Sequence, residues 1–312
     1  MTIKTSHYNF VSMARQSAWG TAVDRTSLLG IVQTSNVSTI QSYLDIRGNT
    51  GQRDINDKVV SKREVRGTIN TLPVDGRFLV GCLGLPTSTG SAPNYTHTFT
   101  GQTGTKAKYI DPLSLELSNT AGSSNIGRVI DSAKFNTVTF NFAEEEALST
   151  NLEFIGRDAT TITSSTTISL ITKKPYMFYE GTITVDSEDI AEIESGSISI
   201  SNNLRPYYPV QATNGTLTQE FIALNRDYSV VLDFKFKDNT HYDKLLSASA
   251  TGVTISVVFS KGANESITFT LNNATFNEDV LNAQNEVEIV ESMTFVPRSA
   301  TIVFKDNISS YN

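Results

Sequence analysis

The sequence predicts a mostly β protein, built as two tandem β-sandwich or barrel modules, each with one short α-helix. Three observations predict this: apolar residues alternate with polar ones along most of the chain, helical spacing appears in two short stretches, and the sequence partly matches itself. Val138, Phe140 and Phe142 alternate with Thr137, Thr139 and Asn141. Ile198 and Ile200 sit between Ser197, Ser199 and Ser201, and Val230, Leu232 and Phe234 flank Val231 and Asp233. Similar runs hold Leu113, Leu115 and Leu117, then Ile255, Val257 and Phe259, then Ile267, Phe269 and Leu271, and finally Met293 with Phe295 and Ile302 with Phe304. Successive side chains of a strand point to opposite faces, so each run covers one face and wets the other, as antiparallel sheets do.

Helical spacing is confined to two places. Phe78, Leu79, Cys82 and Leu83 follow Asp75, a capping residue type. Tyr242, Leu245 and Leu246 follow Asp238, Asn239 and Thr240. Each predicts a helix of two or three turns. The self-match appears when residue 132 is laid on residue 273. Ala133, Phe135, Asn136, Asn141, Glu145, Phe154, Arg157 and Ala159 then meet identical residues. Upstream, the stretch 65–83 resembles 228–246 at a larger offset. The first copy is therefore expected to carry an insertion at 84–105, whose Gly, Ser, Thr and Pro read as an exposed loop. The expected modules are 1–165 and 166–312.

Composition bounds the function. Of 312 residues, 38% are hydrophobic and 18% charged, enough to bury a sizeable core. Lys and Arg number 25 against 32 Asp and Glu, for a net charge of −7, the wrong sign for a protein that grips phosphates. One cysteine, Cys82, excludes an intrachain disulfide and a multi-cysteine zinc site. No apolar run approaches the ~20 residues that span a bilayer, and residues 1–20 lack a signal-peptide core, so no membrane association and a cytoplasmic origin are expected.

No catalytic, cofactor or metal site is expected. His7, His97 and His241 lie far apart and read as half-exposed side chains. Glu144, Glu145 and Glu146 form a contiguous acidic run, which marks a solvated turn or rim more than a carboxylate pair facing one cleft. Asp186, Glu188 and Asp189 lack the pattern of a calcium loop. Cys82 lies on the apolar side of a short helix and reads as an inert buried thiol, and Trp19 as a packing anchor.

Several short stretches, in this order, resemble one family. Arg15-Gln16-Ser17-Ala18-Trp19-Gly20-Thr21-Ala22 opens the series. Residues 67–86 follow with strand, helix and a Leu-Gly-Leu-Pro turn, then Asn94-Tyr95-Thr96-His97-Thr98-Phe99, then Phe178-Tyr179-Glu180-Gly181 and Ile198-Ser199-Ile200-Ser201-Asn202-Asn203-Leu204. In this order they resemble the tail tube proteins of long-tailed bacteriophages, of the type with a duplicated tube module. The resemblance implies a β-sandwich tube module that lends strands to an inner barrel, with a helix outside. It implies stacked rings forming a hollow conduit for genome ejection, trimeric if the chain carries two modules and hexameric otherwise. Implied partners are copies of itself, the tape-measure protein, and tail tip and tail terminator proteins. DNA passes through the lumen without specific binding. The implied location is the virion tail, assembled in the host cytoplasm.

In this family a long hairpin commonly reaches the neighbouring ring. By order along the chain it falls at 47–58 and 205–214. Arg47, Arg53, Asp54, Asp57, Arg205, Tyr207 and Tyr208 are the implied contacts, and Glu144, Glu145 and Glu146 an implied acidic lumen or rim patch. Two other classes compete: an adhesion or carbohydrate-binding surface protein exposing Tyr207 and Tyr208, and a glycan-degrading enzyme on a β scaffold.

Overall fold

Strands with one apolar face must find a partner layer, and here three sheets provide it by running into one another. The computed structural model describes residues 9–48, 54–101, 110–119, 126–162, 171–190, 192–210, 215–236, 243, 252–282 and 289–311. The first half holds β1 (Asn9–Arg15), β2 (Ser27–Leu28), β3 (Ile31–Ile46) and β4 (Asp57–Leu72). A 3-10 turn, Arg77–Leu79, then runs into α1 (Val80–Leu83). After it come β5 (Thr87–Ser91), β6 (Asn94–Thr100), β7 (Leu113–Asn119), β8 (Ile126–Ala143), β9 (Ser149–Gly156) and β10 (Asp158–Ile162). The second half holds β11 (Gly181–Val185), β12 (Glu188–Asp189), β13 (Ile193–Ser201), β14 (Leu204–Tyr207), β15 (Glu220–Ala223) and β16 (Asp227–Lys235). It closes with β17 (Val253–Ser260), β18 (Ser266–Asn282), β19 (Val290–Val296) and β20 (Ser299–Asp306).

The central sheet is antiparallel in the order β3-β4-β9-β8-β13-β16-β19-β18. One side sheet runs β2-β1-β7-β8-β10. The other runs β5-β6-β20-β18-β17-β11-β12. β8 and β18 belong to two sheets each, turning from side sheet to central sheet at Ser132 and Asn273, both with φ +50°. The ladders beyond those turns slip at matching places, between Phe135 and Thr137 in β8 and between Phe276 and Glu278 in β18. Such bulges bend a strand and sharpen its twist.

The core lies between the central sheet and the side sheets. Phe140 and Phe142 of β8 meet Phe269 and Phe259 across it, with ring centroids 4.7 and 5.7 Å apart. Phe78, on the turn before α1, wedges between Phe140 and Phe304 at 6.0 and 6.4 Å. The expected first helix is present, and the Asp75 carboxylate accepts the Arg77 backbone N–H at 3.0 Å. The second expected helix, around Tyr242, Leu245 and Leu246, lies outside the described residues, apart from Asp243.

Two expectations are corrected. The stretch 84–105, expected as an exposed loop, instead forms the β5–β6 hairpin, and β6 pairs with β20 along Tyr95 to Thr100. Its residues 102–105 lie outside the described set. The reason is alternation within an outwardly loop-like composition: His97 and Phe99 face inward between exposed or half-exposed threonines. His97, expected half-exposed, is fully buried. Its ring lies 3.8 Å from that of Tyr311, and its two nitrogens meet the Ser88 hydroxyl and the Ile308 carbonyl, each at 2.8 Å. His7 and His241 lie outside the described residues.

Candidate assembly surfaces

β9 enters the central sheet at Ser149, beside the turn that holds Glu144, Glu145 and Glu146, and leaves it at Gly156, opposite Val65. β4 extends beyond that point through residues 57–64, roughly 25 Å of further strand, paired with the end of β3 as far as Ile46 and Asp57. This overhang is a two-stranded ribbon. Leu44, Ile46 and Val59 share one of its faces and are 61%, 43% and 46% exposed; Tyr43, on the other, is 57% exposed. Such an uncovered apolar face makes the ribbon a candidate interaction surface.

The expected contact residues fall partly on this ribbon. Arg47, Asp54 and Asp57 are exposed around its tip, and Arg53 lies outside the described residues. Asp45 draws in the Lys58 ammonium at 3.7 Å and the Arg47 guanidinium at 4.0 Å. Such exposed pairs contribute little to stability.

The second hairpin, β14–β15, folds back along the root of the ribbon. The Arg63 N–H donates to the Thr216 carbonyl at 2.6 Å, and the Tyr208 hydroxyl donates to Glu64 at 3.3 Å. Burial, then the Glu64 charge, pushes the Tyr208 phenol up to about 12. Tyr208 is thus engaged within the chain, whereas Tyr207 and Arg205 are exposed. Trp19 acts as the expected anchor: its ring meets Phe221 of β15 edge-on at 5.3 Å. The Lys134 ammonium sits 5.5 Å from the centre of that indole and donates to the Phe221 carbonyl at 3.2 Å. Burial lowers the Lys134 pKa, while Glu220 and Asp111 pull it back up.

The face of the central sheet turned away from the core is lined mostly by hydroxyl and amide side chains, with Val231 and the charged Arg66, Glu153 and Asp233 among them. Thr68 and Asn70 on β4, Asn151 on β9, Thr139 and Asn141 on β8, Ser197 and Ser199 on β13, Ser229 on β16, and Ser292 and Thr294 on β19 all point that way, opposite their buried neighbours. Asp233 on this face accepts hydrogen bonds from Ser195 and, at 2.6 Å, from Ser292. The alternation in the sequence already gives each strand such a wet face; that β4, β9, β8, β13, β16 and β19 present theirs on one continuous sheet is what the structure adds.

At the end opposite the ribbon, Glu144, Glu145 and Glu146 are exposed in the β8–β9 turn, with Glu145 at φ +61°. Glu144 pairs with Lys235 at 3.2 Å. Beside them Phe178, Ile183, Ile190, Ile193 and Phe259 line a pocket of about 310 Å³. The Phe178 N–H donates to the Glu146 carbonyl. Cys82 is buried, and burial pushes its thiol up to about 11 against the pull of Arg226 and Asn202. Among the described residues no group of three or more His, Cys, Asp or Glu side chains is placed to hold a metal ion. Among them, too, no helix is long and apolar enough to cross a membrane.

A family model described as phage tail tube protein matches residues 9–297. The chain belongs to the phage tail tube protein family. Membership makes it a structural component of the virion tail, and the family is the one its motifs resemble. No curated protein matches the chain. Among solved structures, a crystal structure of the Ralstonia pickettii toluene transporter TbuX aligns over 78% of this chain and 62% of its own length. At 10% identity and a TM-score of 0.09, that alignment carries no argument about fold or function.

Proposed function

We propose that this tail tube protein forms rings by joining the two open edges of its central sheet, β3 of one copy beside the outer half of β18 of the next. The observation that carries the reading is an eight-stranded sheet with both edges unpaired among the described residues and one face almost wholly polar. An unpaired edge is a row of backbone donors and acceptors, a template for another chain. Joining opposite edges is a heterologous contact, which closes into a ring when the rotation allows.

The polar face then lines the lumen. Hydroxyl and amide side chains hydrate a wall without gripping phosphate, and the net charge of −7 has the sign that keeps DNA off it. The slips and left-handed turns that β8 and β18 share at equivalent positions favour two duplicated modules per chain, 1–165 and 166–312. A ring of three copies then carries six modules. Rings stack through the ribbon, with the tape-measure protein in the lumen and tip and terminator proteins at the ends. The finished tube, assembled in the host cytoplasm, conducts the genome and catalyses nothing.

Negative-stain electron microscopy of the concentrated protein tests this, with mass photometry of isolated rings. Rings and tubes with a stained channel, three copies to a ring, are the expected result. Six copies would overturn the duplication, and monomers in complete virion tails would overturn the ring.

A further inference from the structure

We infer that the joint between copies repeats the register of the joint inside the chain, and that a polar pair closes its core-facing seam: the Thr39 hydroxyl of one copy donates to the Asp279 carboxylate of the next. This rests on the edge-joining reading above and names the residues that meet there.

Two correspondences set the register. The ladders lay β18 on β8, with Asn273 on Ser132 and Phe295 on Phe154. They also lay β3 on β13. Gly67 faces Phe154 as Val230 faces Phe295, and Val37 faces Gly67 as Ile198 faces Val230. β3 slips between Val32 and Thr34, where β13 slips between Ile193 and Ser195. Inside the chain β8 pairs with β13, setting Phe140 opposite Ile198, Thr139 opposite Ser199 and Val138 opposite Ile200. Carried to the open edges, that pairing sets Leu281 opposite Val37, Val280 opposite Ser38 and Asp279 opposite Thr39. Eight antiparallel strands leave β3 and β18 running in opposite directions, so the new joint is antiparallel like the rest.

The side chains at the edges fit this register. Leu281 is 53% exposed, and Val37 is only partly buried against the core. Joined, they take the place that Phe140 and Ile198 hold inside the chain. On the polar face Val280 and Ile40, 49% and 40% exposed, become diagonal neighbours across the seam. Asp279 departs from the apolar pattern. It stands opposite buried Met293 on the core side of β18, where the chain's own joint has Val138 opposite Leu152. Buried Glu291 is hydrogen-bonded to it, and burial, then the Asp279 charge, pushes the Glu291 carboxyl up, which favours the proton on Glu291. The buried Oδ1 of Asp279 has no hydrogen-bond partner among the described residues. A buried acceptor without a donor is costly. The residue that arrives opposite is exposed Thr39, where the chain's own joint has buried Ile200. A threonine stays wetted on the free edge and supplies the missing donor once the edges meet.

The test is a cysteine pair in the full chain, Ser38→Cys with Val280→Cys, in rings grown from the pure protein or within complete virions. Cys82 is buried and leaves the readout clean. Mild oxidation is expected to give covalent dimers and closed trimers on a non-reducing gel. Ser38→Cys with Glu278→Cys, which samples a slip of the edge, is expected to link poorly. Thr39→Ile, at a position exposed in the free chain, is expected to cut ring yield about tenfold or more. Thr39→Ser should keep the yield. Thr39→Ile with Asp279→Val rebuilds the apolar pair of the internal joint and should restore it. Linkage through residue 278 in preference to 280, or Thr39→Ile rings at the unmodified yield, would overturn this inference and leave edge joining standing. Absence of rings from complete tails would overturn both.

Discussion

The β3–β4 ribbon and the β14–β15 hairpin leave the same end of the central sheet, yet one runs straight into solvent and the other lies against its own chain. Few residues separate the two outcomes. In the ribbon, β3 continues through Ile40 and Gln41 with extended backbone, and only a slip between Ser42 and Tyr43 marks its course. In the hairpin, the corresponding path breaks at Asn202 and Asn203. Asn203 takes φ +49°, a left-handed turn that asparagine tolerates better than most residues. Asn202 is buried: its amide donates to the Phe135 and Cys82 carbonyls at 3.0 Å each and accepts from Arg226 at 2.8 Å. A satisfied buried amide fixes one path for the backbone. The bend then delivers Phe221 to Trp19 and Tyr208 to Glu64. One hairpin is thus spent on holding the molecule together, while the other keeps its apolar side chains exposed.

That contrast can be broken from either side. The largest effect on folding is expected from Phe221→Ala, which removes a fully buried ring from the docked hairpin and should cost about 3 kcal/mol in urea unfolding. Trp19 fluorescence should shift to the red as its partner leaves. Asn202→Ala comes next. It takes the Asn202 amide from the buried Phe135 carbonyl and from the Arg226 Nε–H, while the Cys82 carbonyl keeps Arg226 at 3.3 Å, and is expected to cost about 2 kcal/mol, with amide exchange rising in β14 and β15. Tyr208→Phe removes one partly exposed hydrogen bond to a carboxylate and should cost about 1 kcal/mol or less. The smallest effect on folding belongs to the ribbon. Leu44→Ser, Ile46→Ser and Val59→Ser together should leave the unfolding midpoint nearly unchanged, since exposed substitutions usually stay within about 0.5 kcal/mol, yet abolish tubes in electron micrographs. A triple variant that unfolds readily would show that the ribbon supports the fold.

Much of the layout was legible in the sequence because it rests on local pattern. The alternation around Phe140, Ile198, Phe259 and Phe269 marks real strands with those residues in the core. Asp75 marks the start of the helical turn, and the polar stretch at 47–58 falls at the tip of the longest hairpin. What escaped depends on distant partners. β5 and β6 read as a loop until β20 supplies an edge for them, which also buries His97. The double membership of β8 and β18 turns on left-handed Ser132 and Asn273, residues with no obligation to adopt that geometry. Nothing local announces that Tyr208 will reach Glu64, 144 positions earlier. The polar wall was half legible: the alternation marks a wet face on each strand, but which strands lie side by side to make one wall depends on distant pairings such as β8 with β13.

In the proposed ring, β3 and the outer half of β18 join between copies. Amide hydrogen exchange, compared between free protein and assembled tubes, tests it most directly. Edge-facing amides of residues 31–40 and 275–282 should exchange fast in the free chain and gain strong protection in the tube, while the middle strands β8 and β13 change little. Protection gained elsewhere, with both edges still exchanging as they do in the free protein, would contradict it.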